Sequence, residues 1–236
     1  MSSSSTSSPS ISVYAEPIDN HPRCPCVLVL DTSGSMRDKP IAELNQGLVT
    51  FQRELVDDEL AKKRVEVAIV TFDSQAKCVQ DFTRANRFQA PTLGVKGHTV
   101  MGAGLSLALQ TLKKREAALR TNEQAYYRPW MFLITDGRPE GEPSDAMDQV
   151  VAEIGSLVKQ ERLLFHAIGV QGADMALLQR IAPGCAHKLK ELAFSDLFKF
   201  ISASIVGYVS RPPSVHVPPV LVHDENDSDA PWESSQ

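Results

Sequence analysis

Short apolar runs that alternate with stretches of helical periodicity set the strongest limit on how this chain folds. The runs are "VLVL" at 27–30, "VEVAIVTF" at 65–72, "WMFLIT" at 130–135 and "LLFHAIGV" at 163–170. Each has the length of a buried strand. Between the first two, Ile41, Leu44, Leu48, Phe51 and Leu55 recur every three or four residues and form one apolar helix face. Met147, Val150, Val151, Ile154, Leu157 and Val158 do the same later in the chain. A third helix begins near Thr99 and carries Leu105, Ala108, Leu109 and Leu112; a last one spans about 196–210, with Leu197, Ile201, Ile205 and Tyr208 on one side. Strands interleaved with helices predict an α/β fold in three layers: a doubly wound, mostly parallel sheet with helices on both faces. Only "DSQ" separates the second run from "AKCVQDF", too short for a crossover, so that pair is an antiparallel hairpin at the sheet edge. A short strand around 185–191 makes the sheet six-stranded.

The 236 residues, 42% hydrophobic, suffice for one full core. Both ends lack its patterning. Residues 1–22 are Ser-rich, and 212–236 combine prolines with five acids and no Lys or Arg, so both read as disordered tails around a domain at 23–211. Most of the net charge of -5 comes from those tails. The near-neutral body offers no electrostatic footprint for nucleic acid. "MSSSSTSSPS" has neither the charge nor the apolar run of a secretory signal, and no stretch is long enough to span a membrane, which places the chain in the cytoplasm. Cys24, Cys26, Cys78 and Cys185 are too scattered for a disulfide framework or a zinc site and read as reduced structural thiols.

The chemistry gathers where strands end. Parallel strands in such sheets deliver their carboxyl ends to one rim, where ligands sit. Asp31 closes the first run, in "VLVLDTSGSM"; Asp136 closes another, in "MFLITDGRP"; Thr99, in "GVKGHTVMGAG", precedes a helix that starts on that rim. In extended backbone alternate residues point the same way, so Asp31, Ser33 and Ser35 converge while Thr32 and Gly34 face elsewhere. The resulting set offers oxygen alone, which suits Mg²⁺ or Mn²⁺ and not zinc. "DTSGS" by itself is often an ordinary turn. Two strand-end carboxylates with a Gly-flanked Thr between them in the chain argue for a metal site with an open position for a partner's carboxylate.

Here the sequence resembles the von Willebrand factor type A (VWA) domains, whose metal-ion-dependent adhesion site (MIDAS) uses DxSxS, a separated Thr and a later Asp. "DTSGS", "GHT" and "TDG" occur in that order, and the resemblance covers roughly residues 23–211. It implies a Rossmann-like VWA fold, with Ser33, Ser35 and Thr99 touching the metal directly and Asp31 and Asp136 acting largely through water. Within that family, "DTSGSM" with "PIAELNQGLVTFQREL", "VAIVTFDS" and "PWMFLITDGRP" looks most like the bacterial cytosolic group typified by the tellurium-resistance protein TerY. Members of that group are often associated with a protein kinase and a PP2C-type phosphatase in stress response. His98 stands where Gly commonly precedes the Thr, and "PEG" follows "TDGR" where a Thr-Asp pair is frequent, so the rim departs from the group around an intact ligand set.

Other residues are weighed against plainer roles. Arg37, Lys39, Lys96 and Arg138 share the ligand loops with Asp38, Glu140 and Glu142, a balance that a solvated surface explains equally well. His98 reads as a rim bystander and His166, in an apolar strand, as a core residue. The expected function is a non-catalytic protein–protein interaction module that captures an acidic side chain through Mg²⁺ or Mn²⁺. Two alternatives stand beside it: a metal-assisted phosphohydrolase, and a scaffold in which the metal stiffens three loops. No GxSxG elbow or Walker A loop supports catalysis, and Ser33 occupies the place where an aspartyl-phosphate enzyme keeps its second Asp.

Overall fold

The structure is a computed structural model, which describes residues 20–141, 143–213, 231 and 232. Six strands form one sheet in the order β3-β2-β1-β4-β5-β6: β1 Cys24–Asp31, β2 Val65–Phe72, β3 Ala76–Arg84, β4 Trp130–Thr135, β5 Leu164–Gly169 and β6 Ala186–Lys188. All neighbours are parallel except β2 and β3, the hairpin expected at the edge. The helices are α1 Lys39–Asp57, α2 Ala61–Arg64, α3 Met101–Thr121, α4 Ser144–Lys159, α5 Met175–Ile181 and α6 Phe194–Val209. This is the doubly wound sheet that the alternating runs predict.

Every residue of β1, β2, β4 and β5 is buried, because helices cover both faces. The period of two along β1 then divides the core. Cys24, Cys26, Leu28 and Leu30 face the layer of α1 and α6, with Leu44, Leu48, Phe51, Leu197 and Ile201. Val27 and Val29 face the layer of α3, α4 and α5, with Leu105, Leu109, Val150, Ile154 and Leu178. Gly47 lets α1 and α6 close on each other: a Cβ there would lie 2.6 Å from the Phe198 ring. The Cys24 thiol is pushed up by burial, with Cys26 and Glu66 adding to the shift, and burial likewise raises the Cys26 thiol.

Two short helices have no counterpart in the sequence expectations. The single turn of α2 is set by Asp58, whose carboxylate accepts from the Leu60 and Ala61 amides at 2.9 and 2.7 Å. Seven-residue α5 is capped by Asp174, which accepts from the Leu177 amide at 3.1 Å. Neither is long enough for helical periodicity to register. The tails expected at 1–22 and 212–236 lie largely outside the described residues. Pro231 and Trp232, which belong to the second, are packed against the domain, with Trp232 only 5% exposed.

Candidate metal centre

The chain order sends β2 to one side of β1 and β4 to the other, which opens a crevice at the carboxyl ends of β1 and β4. Asp31 is the last residue of β1, and the Leu30–Ile134 register brings Thr135 alongside it. Asp136 follows directly. The rim therefore receives both carboxylates from rigid strands.

Three loops are stitched together above them by backbone hydrogen bonds. The Lys96 amide donates to the Thr32 carbonyl at 2.8 Å and the Gly34 amide to the Gly97 carbonyl at 3.1 Å, which fastens "DTSGS" to "GVKGHT". The Glu140 amide donates to the Thr99 carbonyl at 2.9 Å, which fastens the loop after β4 to both. Gly97 has φ +66°, and a Cβ on it would sit 1.9 Å from Ser74 Oγ, so glycine alone fits there. Ser74 Oγ in turn accepts from the His98 amide at 3.0 Å, one residue before Thr99.

The five expected site residues converge. Asp31 is fully buried; its Oδ1 accepts from the Ser33 amide at 2.9 Å and its Oδ2 from the Thr135 hydroxyl at 2.5 Å. Ser33 Oγ lies 3.0 Å from Ser35 Oγ, and Ser35 donates to Asp136 Oδ1 at 2.7 Å, so a chain of hydroxyls links the two carboxylate loops. Thr99 completes the ring: a Cβ on Gly137 would stand 3.5 Å from Thr99 Oγ1 and 3.6 Å from Asp31 Oδ2. Thr32 faces away as expected and donates through its hydroxyl to the Phe72 carbonyl at 3.2 Å. Ser35 alone of the five is exposed, and it marks the mouth.

Both acids of the site are raised by burial. Burial pushes the Asp31 carboxyl up to about 6, against the opposing pull of hydrogen bonds from Ser33 and Thr135, and the nearby Asp136 adds to the rise. Burial also raises Asp136, with the Ser35 hydrogen bond opposing. Two acids held close together and largely out of water form an arrangement that a divalent ion would neutralise. Asp31, Ser33, Ser35, Thr99 and Asp136 could hold it. Among the described residues no three His, Cys, Asp or Glu side chains cluster in a metal-holding arrangement. An ion held here would need the hydroxyls as donors beside the two carboxylates.

The sequence reading missed two residues. Thr135 orients Asp31 and itself accepts from the Gly137 amide at 3.1 Å; Gly137 leaves the mouth open for Thr99 and Asp31. A polar Thr closing the all-apolar run "WMFLI" was the available signal. The surrounding rim is mixed. His98 and Glu140 stand 3.7 Å apart, 74% and 66% exposed, and Arg138 lies 3.2 Å from Asp174. His166 is a core residue as expected: burial lowers its imidazole to about 3, with His187 contributing, and it stacks on Phe132 at 5.6 Å.

Residues 26–199 match the family model of the von Willebrand factor type A domain. The chain belongs to this family. Its VWA domain is 25% identical over 175 residues to mouse Matrilin-4, covering 68% of this chain and about a quarter (26%) of that protein. In three dimensions it resembles the PilB minor pilin from Streptococcus sanguinis, with a TM-score of 0.57 at 18% identity over 84% of this chain and 65% of that one. It also resembles the vWF domain of the type V pili tip protein Mfa5 from Porphyromonas gingivalis, with a TM-score of 0.56 at 16% identity over 81% and 98% of the two chains. At such identities the likeness shows the fold. VWA domains typically serve as adhesion and protein-interaction modules. Among the described residues no helix is long and apolar enough to cross a membrane.

Proposed function

We propose that this VWA domain is a non-catalytic module that binds Mg²⁺ or Mn²⁺ at a MIDAS and captures a Glu or Asp side chain of a protein partner. Asp31, Ser33, Ser35, Thr99 and Asp136 hold the cation, which supplies a positive charge at the rim for the partner's carboxylate. The protein's own residues do the rest. Thr135 and the Ser33 amide fix the Asp31 carboxylate, Ser35 orients Asp136, and the stitched loops hold Thr99 over both. The observation that carries the reading is the pair of buried strand-end acids bonded to hydroxyls and backbone amides, with Asp31 Oδ1 and Oδ2 and Asp136 Oδ1 drawn into one crevice. The sequence likeness to the TerY group supports a narrower reading: a bacterial cytoplasmic stress-response system in which the partner is a protein kinase or a PP2C-type phosphatase.

Titration of the full chain with Mn²⁺, followed calorimetrically, tests the site. One ion per chain is expected, with binding abolished in Asp31→Ala and Asp136→Ala and retained in His98→Ala. Wild-type Mn²⁺ binding by Asp31→Ala would remove the assignment. Capture of protein from cell extract on immobilised chain, with and without EDTA, tests the adhesive role; capture that ignores the chelator favours a loop-stiffening metal instead.

A further inference from the structure

The outer edge of the sheet carries a second built feature, on the side of β6 away from β5. Strand β6 is three residues long, and the backbone just beyond it pairs with a remote part of the chain: Leu189 and Trp232 form an antiparallel bridge, and the Lys190 amide donates to the Pro231 carbonyl at 2.8 Å. The Trp232 indole stacks on His187 at 4.5 Å and 29° and meets Phe200 of α6 edge-on at 4.6 Å and 80°. It joins the same apolar cluster as Leu189, Ile168 and Leu197. A line of stacked rings runs on beneath it, from His187 to His166 at 5.9 Å and from His166 to Phe132 at 5.6 Å.

We propose that this edge, with the seat formed by His187, Leu189 and Phe200, is a recognition site for an extended segment bearing a tryptophan, and that Pro231–Trp232 of the same chain is its resident, exchangeable ligand. The chemistry is that of a strand added to a sheet edge, in which main-chain pairing sets direction and one side-chain pocket gives selectivity. The indole is nearly all buried between His187 and Phe200, which gives the attachment an aromatic anchor. Proline at 231 offers a carbonyl to Lys190 and has no amide to donate in return. Trp232 is the one aromatic residue in 212–236, which gives the segment a single anchor to present.

Occupancy in cis follows from length. Phe200 lies nine residues before the end of α6, about 14 Å along the helix axis. Residues 214–230 reach up to about 55 Å when extended, so the tether closes that gap with slack. Such a tether holds the segment at an effective concentration on the order of millimolar. A competing segment of the same chemistry has to exceed that.

The test uses the full chain and a labelled synthetic peptide of residues 224–236, followed by fluorescence anisotropy. The Trp232→Ala chain, with its seat vacated, is expected to bind the peptide saturably. The wild-type chain should bind it at least tenfold more weakly, and a peptide with Ala at the tryptophan position should lose about a hundredfold toward the Trp232→Ala chain. No binding to the Trp232→Ala chain, or equal binding to both chains, overturns the proposal. A second measurement covers misfolding of that variant. A wild-type chain carrying a protease site at 217–222 is purified intact, cut, and passed over a sizing column. Retention of the C-terminal piece, lost on Phe200→Ala, supports the seat; immediate separation overturns it. A wild-type dimer that becomes monomeric on Trp232→Ala would put a second copy's segment in the seat and overturn occupancy in cis.

Discussion

Glu66, near the start of β2, and Asp31, at the end of β1, are carboxylates of one sheet, 2% and 0% exposed and about 20 Å apart along parallel strands. Glu66 receives two hydrogen bonds from the Arg115 guanidinium, at 2.7 and 2.6 Å, and has Arg23 at 3.6 Å. Asp31 receives a backbone amide and a threonine hydroxyl, and its charged neighbour is another acid. At one end of the sheet the fold neutralises its buried charge with its own cations. At the other it brings two acids together among hydroxyls and amides, and under the proposed function an incoming cation neutralises them. On the proposed function, the difference separates a structural carboxylate from a ligand-binding one in a single molecule: burial is common to both, and the source of the compensating charge is not.

The largest expected effect comes from making the same carboxylate-to-amide change at both ends. Glu66→Gln removes the negative charge that two guanidiniums face at the closed end, one of them 2% exposed, and is expected to cost about 3–5 kcal/mol of stability. Asp31→Asn removes an uncompensated charge. Its amide oxygen still accepts from Ser33, and its amide nitrogen donates to the Thr135 hydroxyl once that group rotates. In EDTA at pH 7 it is expected to stabilise the chain by up to about 3 kcal/mol, the worth of a two-unit rise in pKa. Urea unfolding of both variants measures this. Equal signs would break the comparison.

Acidity and metal sharpen it further. The Asp31 pKa is raised on folding, so the folded chain binds the extra proton and the group's contribution is fully present below about pH 4. That contribution is lost as pH rises through about 6. Metal-free wild-type chain should therefore lose stability relative to Asp31→Asn across that window and match it below it. Mg²⁺ should close the gap at pH 7, adding about 2.7 kcal/mol to the wild type at one hundred times its dissociation constant and nothing to the variant, and reverse the order at one thousand times, where it adds about 4.1 kcal/mol. Below pH 6 the proton competes with the metal, and affinity should fall about tenfold per unit. Thermal melts over pH and Mg²⁺ concentration read all of these.

Much of this contrast was legible in the sequence at the open end and almost none at the closed one. Asp31, Ser33 and Ser35 announce themselves because polar side chains at alternate positions end an apolar run, and Asp136 repeats the pattern at another strand end. The strands and the four long helices follow from periodicity, which short α2 and α5 cannot express. Glu66 sits inside "VEVAIVTF", where one acid in a strand is ambiguous; its partners are 43 and 49 residues away and are chosen by packing alone. Trp232 was hidden for a similar reason. Its seat is assembled from β6, the loop after it and α6, and the acidic, proline-rich context around it carries the signature of a tail.

The smallest expected effect concerns how firmly the open end holds its charge. Thr135 relays polarity from the Gly137 amide, accepted at 3.1 Å, to Asp31 Oδ2 at 2.5 Å. Thr135→Val keeps the shape and removes both bonds. One hydrogen bond to a charged group is worth about 1.5–3 kcal/mol to the ionised form, so the Asp31 carboxyl should titrate about one unit higher or more. Metal-free stability at pH 7 should drop by about 1 kcal/mol through Asp31, since a carboxyl whose pKa rises past about 6 takes up a proton instead of bearing the whole loss. That part should vanish once Asp31 is protonated and leave a pH-independent cost for the Gly137 amide. The pH midpoint of Mg²⁺ binding should move up in step. If the valine variant instead loses the same stability at every pH, Thr135 serves packing, and the carboxylate at the open end depends on the Ser33 amide and the incoming cation alone.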